Sequence, residues 1–100
     1  MFVHSVYFWL LPTTGEPEHA AFVSALRGLL TIASIEQGFI GPPAATRDEV
    51  IEHGYSYALT LLFADQAAHD RYQIDPLHEK FVADFSALFA QVRVFDSESL

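Results

Sequence analysis

The chain has 100 residues, 51% of them hydrophobic, and its 13 acidic and five basic residues give a formal net charge of -8. That is the length of one domain, and a charge of this sign is repelled by phosphate backbones and anionic lipid, so nucleic-acid and membrane partners are not expected. There is no cysteine, which excludes disulfides, thiolate nucleophiles and zinc–thiolate sites.

Phe2 to Leu11 is rich in aromatic and β-branched residues and stops at Pro12, which predicts a strand. Phe2, His4, Val6, Phe8 and Leu10 share one face; Val3, Ser5, Tyr7 and Trp9 share the other. A strand apolar on both faces is covered twice. It is too short to cross a bilayer and lacks a basic leading region, so it reads as neither signal nor span, and a cytoplasmic location is expected. Gly15-Glu16-Pro17-Glu18 opens a helix, with Pro in the first turn and acids suited to the dipole. Phe22, Ala25, Leu26, Leu29, Leu30 and Ala33 follow the helical template, and the run is predicted to end near Ile35. Ile35 to Ile40 reads as a short second strand, and residues 44–53 as a polar loop. Tyr55 to Phe63 is the third strand, with Tyr55, Tyr57, Leu59, Leu61 and Phe63 on one face. Asp65 caps a short helix to about Gln73. Asp75-Pro76 restarts a helix whose stripe is His78, Phe81, Val82, Phe85, Leu88, Phe89 and Val92. A last strand is expected over Val92 to Phe95.

The order β-α-β-β-α-β predicts an α+β, ferredoxin-like domain with a four-stranded antiparallel sheet. Its helices cover one sheet face. The other, with Val3, Tyr7, Trp9, Ala58, Thr60 and Leu62, is too apolar for water, and a domain this small hides apolar surface poorly. A second copy stacked on it, through Trp9, Tyr7 and the Ser56-Ala58-Thr60 face, is the expected solution: a homodimer.

Several stretches resemble the stress-responsive dimeric α/β-barrel (Dabb) family. They are Val3-His4-Ser5-Val6-Tyr7-Phe8, then Gly54 to Leu59 running into Phe63, and above all Tyr72-Gln73-Ile74-Asp75-Pro76-Leu77-His78 followed by Phe81, which is similar to the family's Tyr-x-x-x-Pro-x-His signature. The final Phe95-Asp96 resembles the family's ending. The likeness covers residues 1–96 as one domain, with 97–100 a polar tail, and implies two chains closing their sheets into a barrel. Similarity to the olivetolic acid cyclase-like members implies aldol-type ring closure without metal or cofactor. Their acid/base residues match His4, Tyr72 and His78; a further histidine of theirs corresponds to Tyr57 here.

From the residues themselves, His78 lies in the first turn after Asp75, where the helix dipole disfavours imidazolium and keeps a neutral base. Its stripe turns it toward the sheet, where His4 and Tyr72 can meet it. Val6, Phe8, Tyr57, Phe81 and Phe85 are the expected apolar lining for a small carbonyl-bearing ligand. The rival readings are a non-enzymatic stress-related dimer, and histidines that serve only the core. His19, His53 and His69 are expected to be exposed. No histidine pair has a metal-ligand spacing in sequence, so neither metal nor cofactor is expected.

Overall fold

The computed structural model describes all 100 residues. Its elements are β1 (Phe2–Leu10), α1 (Glu16–Leu29), β2 (Gln37–Gly41), β3 (Tyr57–Phe63), α2 (Gln66–Gln73), α3 (Pro76–Phe85), a 3-10 turn (Ser86–Leu88) and β4 (Phe89–Glu98). The four strands form one antiparallel sheet in the order β2-β3-β1-β4. This is the ferredoxin-like arrangement expected from sequence. No helix is long and apolar enough to cross a membrane.

The central strand β1 alternates as its sequence dictates. Phe2, His4, Val6, Phe8 and Leu10 are buried under the helices, while Val3, Ser5, Tyr7 and Trp9 are half-covered on the other face. Helix α1 seats Phe22, Leu26 and Leu29 on the first face, and Phe22 is fully buried. Burying a side chain of this size contributes about 1.5–3 kcal/mol. The Glu18 carboxylate accepts from the Gly15 N–H at 3.2 Å, which closes the helix start. At Gly38 a Cβ would meet the tip of the Leu30 side chain, so a larger residue there would make Leu30 shift where β2 passes close to the end of α1.

Several boundaries differ from the sequence reading. Helix α1 stops at Leu29 and not near Ile35, because the chain turns through Leu30 to Ser34, with the Thr31 hydroxyl donating to the Gly28 carbonyl. Helix α3 ends at Phe85, and Phe89 and Val92 belong to β4. Phe89 and Val92 satisfy a strand pairing with Leu10 and Phe8 as well as they fit a helical stripe, and the long edge of β1 takes them. The same pairing extends β4 through Glu98, so the first half of the polar tail, Ser97 and Glu98, is strand. Tyr55 falls on the face opposite Tyr57. Regular alternation begins only at Tyr57, because Ser56 is bonded to β1 from both sides: its N–H donates to the Phe8 carbonyl at 2.7 Å and its Oγ accepts from the Leu10 N–H at 3.0 Å. Ser56 is therefore spent on β1's backbone, and Tyr55 packs on Tyr7 with ring centroids 4.9 Å apart.

The sheet face away from the helices is aromatic and open. Tyr7, Trp9, Tyr55 and Phe95 surround a shallow cleft of about 350 Å³, with Arg93 and Glu52 at its rim. Phe95 is 52% exposed, and the Arg93 guanidinium lies 5.2 Å from its ring centre.

Candidate active site

The register of β1 places the first elements of the site. His4 lies directly opposite Leu61 on β3 and Asp96 on β4. Side chains so paired on one face are close enough to bond. The Nδ1–H of His4 donates to Asp96 Oδ1 at 2.6 Å. Burial pushes the His4 imidazole down, outweighing the upward pull of the Asp96 carboxylate, so the ring is neutral at neutral pH and the contact is a short hydrogen bond to a carboxylate rather than an ion pair. With Nδ1 carrying the proton, Nε2 is the basic nitrogen.

Helices α2 and α3 supply the opposing wall, and their caps fix their directions. Asp65 accepts from the Ala68 N–H at 2.9 Å and Asp75 from the Leu77 N–H at 2.9 Å. The bend between them brings Tyr72 and His78 together, with ring centroids 4.8 Å apart; Tyr72 is 5.8 Å from the His4 ring. His78 donates its Nδ1–H to the Gln73 carbonyl at 3.0 Å. A carbonyl only accepts, so this bond fixes the tautomer and again leaves Nε2 basic. Burial pushes His78 below its ordinary value, against the Gln73 carbonyl and the carboxylates of Glu79 and Asp75. Burial holds the Tyr72 phenol well above its ordinary range, so it keeps its proton and serves only as a neutral hydroxyl.

His4, Tyr72 and His78 border one cavity of about 160 Å³ between sheet and helices. Val6, Phe8 and Phe81 line it as the sequence suggested, joined by Gln73 and by Val92 and Val94 of β4. Tyr57 and Phe85 do not line it. The Tyr57 hydroxyl bonds His19 Nδ1 at 2.8 Å and its ring borders a separate cleft beside Val23 and Ile40. Phe85 points into the aromatic core, with its ring 5.6 Å from Phe81 and 5.7 Å from Phe22.

Two more expectations fail on the histidines. His19 is tied to Tyr57 and is not free on the surface. His69 is buried: its ring stacks 4.6 Å from Phe2 and lies 4.9 Å from His4. Sequence reasoning placed it on a polar helix face because its neighbours Asp70 and Arg71 are polar; its i+3 relation to Tyr72 was the available signal. Asp96 and Gln73 were missed as site residues. Nothing local marks either, since one acts through strand register and the other through its backbone carbonyl.

Comparison with known proteins agrees with this architecture. The profile of the Stress responsive A/B Barrel Domain (Dabb) matches residues 2–99. No curated protein sequence matches the chain significantly. Among solved structures, a Dabb family protein with a ferredoxin-like fold from Mesorhizobium loti is 26% identical, with a TM-score of 0.79 over 99% of this chain and 96% of that one. A dimeric ferredoxin-like protein from Thermobifida fusca is 16% identical, with a TM-score of 0.80 over 98% of this chain and 90% of that one. A hydroxynitrile lyase from Passiflora edulis is 15% identical, with a TM-score of 0.79 over 99% of this chain and 95% of that one. A match spanning almost every residue, on the same sheet and helix order, decides the family: the chain belongs to the Stress responsive A/B Barrel Domain (Dabb) family.

Proposed function

We propose that the chain is a homodimer in which each protomer binds a small, apolar, carbonyl-bearing compound and exchanges a proton with it at His78. The observation that carries this reading is the convergence of His4, Tyr72 and His78 on one apolar cavity, with both histidines anchored through Nδ1. In the reaction, His78 Nε2 takes a proton from the carbon next to the carbonyl. The electron pair moves onto the carbonyl oxygen, and the Tyr72 O–H hydrogen-bonds to that enolate. The enolate then retakes a proton, or attacks a second carbonyl of the same molecule. In the latter case a carbon–carbon bond forms and the new alkoxide receives the proton held by His78. His4 offers a second polar atom on the opposite wall. A hydroxynitrile lyase shares the fold, which supports chemistry of this kind on the scaffold.

The size of the cavity favours a small substrate. About 160 Å³ is near the volume of a cavity that holds benzene, about 150 Å³, and below the roughly 300–1,000 Å³ of drug-sized sites. The same figure favours the second reading, in which the three side chains serve only the core of a non-enzymatic dimer. Cyclohexanone separates the two. In D2O, its α-proton signals should disappear faster with the protein than in matched buffer. Because His78 must be neutral to accept a proton, and burial lowers its pKa, the rate should be full at pH 7 and fall only below pH 6.5. No exchange above buffer, with no amide shifts at Tyr72 or His78, would leave the core reading standing.

The dimer is the second part of the proposal. Tyr7, Trp9, Tyr55 and Phe95 form an apolar face that a lone domain has no means of covering, and a neighbour of the same fold is dimeric. At micromolar concentration the protein should sediment as two chains, and the Trp9→Glu variant as one. A wild-type protein that sediments as a single chain would remove this part.

A further inference from the structure

We propose that His4, His69 and Asp96 form a binding site for a divalent transition metal of the zinc class, on the outer side of His4 and apart from the cavity. The three residues come from β1, α2 and β4, and one ligand atom from each lies within 4.8 Å of the other two. Two imidazoles and a carboxylate suit zinc, cobalt or nickel, and suit magnesium or calcium poorly. Ligand atoms around a tetrahedral zinc stand about 3.3 Å apart, as bond lengths near 2.0 Å require. The trio therefore closes by up to about 1.5 Å on binding, with the more exposed Asp96 carboxylate as the part free to move. Residues distant in sequence build it, and for that reason no spacing motif announces it.

The surroundings have the parts that a metal site needs. Both imidazoles are buried, so their rings are held in place. His69 donates its Nδ1–H to Asp70 at 3.0 Å, which leaves Nε2 as its ligating nitrogen and gives it the carboxylate partner typical of metal-bound histidine. At present Nε2 faces the Gln73 side-chain amide at 3.1 Å, a contact the metal would replace. A cleft of about 300 Å³, bordered by Gln66, His69, Asp96, Ser97 and Glu98, opens the site to solvent. Glu98 follows Asp96 on the same face of β4 and adds a further oxygen at the rim.

Metal at this site acts on His4 by moving its proton. Nδ1 now holds a hydrogen shared with Asp96; ligation through Nδ1 places that hydrogen on Nε2. His4 then changes from acceptor to donor at the cavity wall, with no net change in charge. Metal binding is independent of the proton-exchange reading, although the two share His4.

The test uses the full chain, freed of metal with a chelator and titrated with zinc chloride by calorimetry and with cobalt chloride by visible absorption. Saturation at one ion per chain is expected, with a cobalt spectrum of low coordination number and no comparable heat from magnesium chloride. His69→Gln should weaken zinc by at least about tenfold, and the surface change Asp70→Asn by about 10–100-fold, as loss of an orienting carboxylate does. His53→Gln and His78→Ala should bind zinc as the wild type does, so a failed exchange assay and a failed metal site are told apart. Absence of saturable zinc binding overturns the proposal, as does wild-type affinity in both His69→Gln and Asp70→Asn. Loss of binding in His53→Gln would also overturn it, by placing the ion elsewhere.

Discussion

Replacing His78 by Ala should slow protein-dependent α-proton exchange by about 10²–10⁴-fold, the usual worth of one positioned general base. The change removes the only basic nitrogen that the α2–α3 bend delivers to the cavity. Tyr72 keeps its hydroxyl there, but a phenol held above its ordinary pKa gives no base at neutral pH. His4 sits on the opposite wall of the same cavity, held through Nδ1 by Asp96, and any activity left in the variant is assigned to it. The fold should survive, because His78 is only half-buried and its one hydrogen bond to protein is the link to the Gln73 carbonyl. Circular dichroism and sedimentation should match the wild type. A rate within tenfold of wild type would show that His78 is not the base.

Phe22→Ala should cost about 3–5 kcal/mol of stability, among the largest values for one core truncation. Phe22 has no exposed surface, and its ring lies 5.2 Å from Phe8, 5.5 Å from Tyr57, 5.5 Å from Phe81, 5.7 Å from Phe85 and 6.1 Å from Phe89. Five rings from β1, β3, α3 and β4 thus meet on one side chain of α1. Each pair adds about 0.5–1.5 kcal/mol beyond area alone, and five aromatic neighbours held by separate elements do not collapse together to refill the gap. Against the roughly 5–15 kcal/mol that holds a small domain folded, the loss is at least about a fifth. Urea unfolding measured on the dimer at fixed concentration gives the number. A loss under about 1.5 kcal/mol would mean that α1 is not seated on the sheet as described.

What could be read from the sequence followed from how local each signal is. The alternation of Phe2 to Leu10 fixed which side of β1 faces the helices, and with it the burial of His4. The pairs Asp65 with Gln66 and Asp75 with Pro76 fixed two helix starts, and so the meeting of Tyr72 and His78. Helix ends were less legible. Phe85, Phe89 and Val92 satisfy a period of 3.6 residues, while Phe89 and Val92 also fit the edge of β1, and only the presence of that edge decides. Tyr57 and Phe85 were assigned to the cavity because they are large and inward-facing. Inward-facing residues of a small domain divide among several neighbourhoods, and the His19 bond and the Phe22 ring drew these two elsewhere. Asp96 and Gln73 lay beyond sequence because each depends on strand register or chain bending, whereas His69 was legible from its i+3 relation to Tyr72 on α2.

The bond between His4 and Asp96 joins residues 92 positions apart. β1 is the first strand to be synthesised, and β4, its partner along one whole edge, is the last. On the ribosome, β1 can pair with β3 once the middle of this domain has emerged, but its other edge stays unfilled until β4 has emerged as well. A nascent chain in that state has the helices and the base at His78, yet lacks Val92, Val94 and Asp96 from the cavity and its rim. It also exposes an unpaired, aromatic strand edge, the kind of surface that chaperones and neighbouring chains seize. Long-range closure of this sort is slow relative to helix formation. Synthesis therefore leaves a window in which the chain is most open to misassembly, and closing β4 onto β1 ends that window and completes the cavity in the same step.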